Sequence, residues 1–163
     1  MTKKWLVSML GAAAMSVSAG ALAQQPMATV PNFYAGLDVG QTDVGSEDDT
    51  GFKIFGGYQF HRNIAAELGY GLLFDKSGVD LTSIEAVAVG IFPLANQFSL
   101  IGKLGFAMLE ADGPGGSADE TELTWGIGAQ YDLTRNLGFR LQFQRYEADD
   151  AIDFISLGVV WRF

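Results

Sequence analysis

The chain has 163 residues, no cysteine, and 19 acidic against 10 basic side chains, for a formal charge of −9. That balance excludes a nucleic-acid-binding protein, which needs a basic patch to meet phosphates. Without cysteine, a disulfide-stapled secreted domain and a lipid anchor on a cysteine are excluded as well.

Residues 1–23 read as a signal peptide. Lys3 and Lys4 give a positive start, Trp5 to Ala19 form an apolar stretch, and Ala21-Leu22-Ala23 fits a small-x-small cleavage site, so cleavage is expected after Ala23. The stretch is too short and too rich in Ala, Ser and Gly to serve as a membrane anchor. Its removal takes two lysines away and shifts the formal charge from −9 to −11, leaving residues 24–163 as enough chain for one domain. No later stretch approaches the ~18 unbroken apolar residues of a transmembrane helix. Barrel strands escape that test, because each is only ~9–11 residues long and alternates.

Residues 24–31 (Gln-Gln-Pro-Met-Ala-Thr-Val-Pro) read as a flexible lead-in to a domain over 32–163. From there the chain repeats one pattern, large apolar residues at every second position, which marks strands with one oily face. The first strand, Phe33 to Thr42, sets Phe33, Ala35, Leu37 and Val39 against Tyr34, Gly36, Asp38 and Gly40. The second, Gly51 to Phe60, sets Phe52, Ile54, Gly56, Tyr58 and Phe60 against Lys53, Phe55, Gly57 and Gln59. The third, Ile64 to Phe74, sets Ile64, Ala66, Leu68, Tyr70, Leu72 and Phe74 against Ala65, Glu67, Gly69 and Gly71.

The fourth, Leu81 to Phe92, alternates least. By bulk, Val87, Val89 and Ile91 are expected outside, with Ala86, Ala88 and Gly90 inside. The fifth, Gln97 to Leu109, exposes Phe98, Leu100, Leu104, Phe106 and Met108 over Ser99, Lys103, Gly105 and Ala107. The sixth, Thr121 to Asp132, turns Leu123, Trp125, Ile127, Ala129 and Tyr131 outward from Thr124, Gly126, Gly128, Gln130 and Asp132. The seventh, Leu137 to Tyr146, does the same with Leu137, Phe139, Leu141 and Phe143 over Gly138, Arg140, Gln142 and Gln144. The last, Phe154 to Phe163, alternates Ile155, Leu157, Val159, Trp161 and Phe163 with Ser156, Gly158, Val160 and Arg162.

Eight strands with alternating connections result. Residues 61–63, 93–96 and 133–136 are short turns, whereas 43–50, 75–80, 110–120 and 147–153 are longer acidic loops. Short periplasmic turns and long outer loops are the asymmetry of an outer-membrane barrel, and an even strand count returns both ends to the periplasmic side. Phe33, Tyr58, Phe60, Phe92, Phe98, Tyr131, Phe139, Trp161 and Phe163 fall near the short-turn end. Phe52, Phe74, Phe106 and Trp125 fall toward the loops, so two aromatic bands flank an aliphatic zone. Periodicity alone does not say which face is inside. An exported, soluble, lipid-carrying barrel would place the oily face inward and send Lys53, Lys103, Arg140 and Arg162 into solvent.

From Phe33 to Phe163 the chain resembles the eight-stranded outer-membrane β-barrel family of OmpA/OmpX type. The segments that carry the likeness are Phe33-Tyr-Ala-Gly-Leu-Asp-Val-Gly40, Phe52-Lys-Ile-Phe-Gly-Gly-Tyr-Gln-Phe60, Ala65-Ala-Glu-Leu-Gly-Tyr70, Lys103-Leu-Gly105 and Trp161-Arg-Phe163. The resemblance implies an all-β, antiparallel up-and-down transmembrane barrel in the bacterial outer membrane. Trp161 and Phe163 would be the signal that the outer-membrane assembly machinery reads. It also implies periplasmic chaperones on the way, outer-membrane lipids and lipopolysaccharide as surroundings, and a monomeric state. No peptidoglycan-binding domain is expected after Phe163.

The inward set brings Asp38, Lys53, Glu67, Lys103, Asp132, Arg140 and Arg162 into one lumen, where an internal ion-pair network is expected. Either it gates a narrow pore or it is a polar plug that satisfies itself, since an eight-stranded barrel is just wide enough to be filled by side chains. Inward glycines, among them Gly36, Gly57, Gly69 and Gly158, make room for the long side chains. The acidic loops are either solvated or hold calcium or magnesium against lipopolysaccharide, although none matches the ordered calcium-loop pattern. The single histidine, His61, sits in a short turn with no nucleophile beside it, so no catalytic residue, metal ligand or cofactor is expected. Two functions stay open at this point: a structural or surface-interaction protein working through acidic loops, and a small porin-like channel.

Overall fold

The computed structural model describes residues 30–44, 47–76 and 78–163. The expected signal peptide and most of the lead-in lie outside these described residues. Eight strands follow one another: β1 (Asn32–Val44), β2 (Glu47–His61), β3 (Ile64–Lys76), β4 (Val79–Pro93), β5 (Phe98–Gly113), β6 (Gly116–Asp132), β7 (Leu137–Tyr146) and β8 (Ile152–Arg162). Each pairs antiparallel with its neighbours in sequence, and β8 pairs with β1 to close the barrel. The last amide continues that seam, Phe163 N donating to Phe33 O at 3.0 Å. No strand edge is left open along the wall, which is what a sheet surrounded by hydrocarbon requires.

The register fixes the barrel's width. Paired residues lead once around from Tyr34 through Gly57, Glu67, Val87, Gly105, Thr124, Tyr146 and Ile152, returning to β1 at Val44, a shear of ten residues. With eight strands about 4.8 Å apart and about 3.3 Å of rise per residue, that shear tilts the strands by about 40°. The backbone radius is then about 8 Å, so side chains from opposite walls meet.

Burial settles which face is which. Leu68, Phe106, Ile127 and Leu141 are 68%, 63%, 61% and 56% exposed, whereas Asp38 and Lys53 are 0% exposed and Glu67 2%. The oily face is therefore the outer one and the polar face lines the lumen, the reverse of a lipid carrier. Transfer of each large outward side chain from water to hydrocarbon favours insertion by ~1.5–3 kcal/mol. Near the short-turn end, the Phe33 and Tyr58 rings pack with centroids 4.7 Å apart, and Tyr131 Oη donates to Gln97 Oε1 at 3.5 Å. Toward the other end Trp125 packs on Phe143 with centroids 5.8 Å apart and donates from Nε1 to Glu147 Oε1 at 2.8 Å. Apolar rings with polar tips turned to the water are the chemistry of the two membrane interfaces.

Two sequence-based expectations are corrected. The facing of the fourth strand is inverted: Val87 and Val89 are buried in the lumen, Ile91 packs against that cluster, and Ala86, Ala88 and Gly90 lie on the outer surface. Bulk is a poor guide here because both faces are small or aliphatic. Glu85 decides the facing, since it shares the parity of Val87 and is 2% exposed beside Lys53. The longer connections are also shorter than expected. β1 and β2 extend to Val44 and Glu47, β3 and β4 to Lys76 and Val79, and β5 and β6 to Gly113 and Gly116. The stretch 110–120 is thus mostly a strand hairpin with Pro114 and Gly115 at its tip.

The short turns hold their shape through local hydrogen bonds. Asn63 and Ile91 exchange two, Ile91 N to Asn63 O at 2.8 Å and Asn63 Nδ2 to Ile91 O at 3.0 Å. Thr134 Oγ1 accepts from Leu137 N at 3.0 Å, and Asn136 exchanges bonds with the Arg162 backbone, which ties the last strand to the β6–β7 turn.

Candidate functional site

The lumen is built in layers. Toward the short turns lies an apolar cluster of Ala65, Val87, Val89, Ile101 and Val160, with Tyr34 and Phe55 above it. Tyr34 and Phe55 fit because Gly57 and Gly36 lie beneath their rings; a Cβ at Gly57 would stand 2.6 Å from Tyr34 Oη. Glycine thus makes room for aromatic rings as well as for charges.

Glu67 on β3 is the centre of the first charged layer. Its Oε1 accepts from Arg140 Nη1 at 2.7 Å and from Tyr34 Oη at 2.8 Å, and its Oε2 lies 2.6 Å from Lys103 Nζ. Arg140 donates twice more to Gln130 Oε1, at 3.1 and 3.0 Å, so five strands contribute to one knot. The Phe55 ring lies 4.9 Å from the Arg140 guanidinium and 5.1 Å from Lys103 Nζ, a cation–π contact on both.

A second layer lies further out. Lys53 pairs with Glu85 Oε1 at 3.1 Å and also donates to Gln144 Oε1. Glu85 Oε2 accepts from Gln144 Nε2 at 2.7 Å and Tyr146 Oη at 2.9 Å. Above these groups Leu73, Leu109, Ile152 and Phe154 form an apolar cap, with the Phe154 ring 5.5 Å from Lys53 Nζ. The charges are therefore held between two apolar clusters.

Of the seven residues expected in one network, five fall into two separate groups, and Asp38 and Lys53 each take a partner from outside the set. Glu67, Lys103 and Arg140 make one knot. Arg162 Nη2 donates to Asp132 Oδ1 at 2.8 Å at the short-turn mouth. Asp38 accepts from Gln142 Nε2 at 2.7 Å, and Lys53 takes its carboxylate from Glu85. Sequence reasoning missed Glu85, Tyr146 and the glutamines 130, 142 and 144. Glu85 was recoverable from Lys53, a buried cation that lacked an acid in the outer part of the expected set. The glutamines are neutral and carry no such signal.

The energetics follow from burial. Lys53, Glu85, Lys103, Glu67 and Arg140 are each at most 4% exposed. An ion pair taken out of water this fully adds little net stability, but deleting one partner strands the other at a cost of ~3–5 kcal/mol. The arrangement fixes positions and keeps water off the charges. Among the described residues no three His, Cys, Asp or Glu side chains converge to hold a metal ion. His61 Nδ1 accepts from Asn63 N at 3.3 Å within its exposed turn.

At the outer rim, acids face acids across the strands: Asp43 opposite Asp48, Asp80 opposite Asp112, and Glu110 opposite Asp119. Arg145 is the counterweight on one side, gripping Asp153 with two hydrogen bonds of 2.6 Å.

A closed barrel with an oily outside, aromatic bands at two heights and a lumen of buried charge defines an integral membrane β-barrel. Its relatives agree. The model of the "Outer membrane protein beta-barrel domain" matches residues 9–163, and the chain belongs to that family. It is an integral protein of the outer membrane. Among solved structures it is similar to Ail, the attachment invasion locus protein of Yersinia pestis, at 22% identity over 81% of this chain and 97% of that one, TM-score 0.58. The N-terminal β-barrel domain of Pseudomonas aeruginosa OprF matches at 17% identity over 80% and 97%, TM-score 0.65. Neisserial surface protein A matches at 18% identity over 81% and 96%, TM-score 0.60. At these identities the likeness is one of fold. No curated protein sequence matches the chain.

Proposed function

We propose that this protein is a non-conducting, non-enzymatic barrel whose working part is its acid-rich outer hairpins. One observation carries the reading: the charged groups in the middle of the lumen are out of reach of solvent, Lys53 and Asp38 at 0% exposure and Glu67 at 2%. A water-filled pore wets the charges that line it. Here a packed plug of paired charges closes the path, and the apolar cap of Leu73, Leu109, Ile152 and Phe154 closes it again.

The rim carboxylates then suit a basic partner. Like charges directly opposite on paired strands destabilise a hairpin, so a cationic surface that neutralises Glu110, Asp112, Asp119 and Glu120 relieves repulsion as it binds. Ail has been crystallised with the heparin analogue sucrose octasulfate. That ligand is a polyanion, and the hairpins here carry the opposite sign. Outer-membrane lipid and lipopolysaccharide surround the wall, and the barrel works as a monomer. Residues 1–23 are removed on export, with Trp161 and Phe163 read during assembly. Intact-mass measurement of the mature protein checks the cleavage after Ala23.

The test is retention of the vesicle-embedded barrel on a polylysine surface at rising salt. Wild type should bind at low salt, and a variant with Glu110→Gln, Asp112→Asn, Asp119→Asn and Glu120→Gln should not. Equal retention of the two would remove the hairpins from the account.

A further inference from the structure

The barrel wall is closed, but its ladders end at different heights on the outer side. β6 pairs with β7 only as far as Thr124 opposite Tyr146, and one further bond joins Glu147 N to Leu123 O at 2.9 Å. With β5 it pairs much further out, to Gly116 opposite Gly113. Beyond Leu123 the β5–β6 hairpin therefore runs on without β7 beside it, and Gly116 to Thr121 are exposed.

Successive residues of a strand direct their N–H and C=O to opposite sides. Asp132 N donates to Gln97 O on the β5 side, whereas Leu123 O accepts on the β7 side. The β5–β6 register runs without a bulge, so Ser117, Asp119 and Thr121 share the parity of Leu123 and turn both backbone groups to the open edge. No strand among the described residues pairs with that edge. Exposed edges are normally blunted by lysine, proline or a bulge, and between Ser117 and Leu123 this one has none of them. It carries acid instead. Asp119, Glu120 and Glu122 lie on the strand, and Glu147, Asp149 and Asp150 are exposed on the connection after β7. No lysine or arginine lies between Lys103 and Arg135.

We infer that the open edge of β6 is a docking site for an extended basic segment of another protein, which adds to the hairpin as one more strand. The inference rests on the reading of the outer hairpins as the working part, and it specifies how their partner is held. Main-chain bonds to Ser117, Asp119 and Thr121 supply affinity. Lysine or arginine placed across from Asp119 on one face, and from Glu120 and Glu122 on the other, supplies selectivity. A second copy of this chain is a poor occupant, because it would set the same acids against each other. Charge thus keeps the edge unpaired until a segment of opposite sign arrives.

The experiment uses the full mature barrel in lipid vesicles and a short peptide of alternating lysine and threonine. Fluorescence anisotropy of the labelled peptide gives the affinity, and the amide I band of an isotope-labelled peptide reports strand formation. Two changes remove backbone bonds and leave every charge in place. Thr121→Pro takes an N–H from the open edge and none from the β5 ladder, and full N-methylation of the peptide takes away its donors. Wild type should bind saturably, with the peptide's amide I band moving to the strand position. Each change should weaken binding about tenfold, while retention on polyethyleneimine, a polycation without amides, stays as in wild type. Ser117→Pro, nearer the hairpin tip, repeats the test if Thr121→Pro fails the heat-modifiable migration that marks a folded barrel. No saturable binding of the peptide by a wild type that polyethyleneimine retains would overturn strand addition and leave the charge reading standing. Wild-type affinity in the proline variants and for the N-methylated peptide would do the same. Failure of wild type to bind either the peptide or polyethyleneimine would overturn both readings. Barrel dimers that Thr121→Pro dissolves would overturn the choice of partner.

Discussion

Removing Glu67 is the severest single test of the lumen as a dry plug. Its carboxylate is the ion partner of Lys103 at 2.6 Å and of Arg140 at 2.7 Å, and the acceptor for Tyr34 at 2.8 Å. In Glu67→Gln, Arg140 keeps its two bonds to Gln130, but Lys103 loses its carboxylate and stays 4% exposed against Phe55. Stranding one buried charge costs ~3–5 kcal/mol, and the retained Arg140 contacts keep the loss within that range instead of doubling it. The cation–π contact at Phe55 offsets only ~1–2 kcal/mol. The assay is reversible urea unfolding in lipid vesicles, followed by the fluorescence of Trp125 and Trp161. A second variant, Glu67→Gln with Lys103→Met, should recover most of the loss, because it removes the stranded charge along with its partner. A loss under ~1 kcal/mol in Glu67→Gln would mean that water reaches Lys103, and the dry plug would be refuted.

Other consequences follow from the facing and packing of the wall. Ala88→Cys should react with a lipid-phase thiol probe while Val89→Cys stays protected, since Ala88 is exposed and Val89 1% exposed; the reverse pattern would restore the facing expected from bulk. Leu104→Arg, on the outer face at 58% exposure, should destabilise the barrel in lipid by ~2–4 kcal/mol. Normal folding of that variant would contradict the facing of β5. Gly57→Ala should displace the Tyr34 ring and cost ~1–3 kcal/mol by overpacking, visible as a lower urea midpoint; an unchanged midpoint would show that the layer has slack.

Most of the architecture is legible in the sequence because a lipid-facing barrel is a strong pattern. Leu100, Leu104, Phe106 and Met108 alternate with Ser99, Lys103 and Ala107, and only one facing keeps lysine out of lipid. The fourth strand lacks that contrast near its inner end, where Ala86, Ala88 and Gly90 oppose Val87, Val89 and Ile91. Size pointed the wrong way, and the buried charge at Glu85 held the answer. Hairpin extension was hidden for another reason. Glu110, Asp112, Gly113 and Gly116 are poor strand formers in isolation, yet the pairing of Leu109 with Glu120 and Ala111 with Ala118 carries the ladder outward. Inside the lumen the ionic groups could be expected from charge alone. The bonds that Gln130, Gln142 and Gln144 make to those groups depend on register around the closed barrel, which no single strand reveals.

The central claim is that the lumen does not conduct. Single-channel recording in planar bilayers tests it most directly, with the mature barrel refolded and its folding verified by heat-modifiable migration. The account predicts a folded wild-type barrel without discrete conductance steps. Steady steps from the folded wild type, changed in size by Lys103→Ala, would make the knot around Glu67 a gate and the protein a pore.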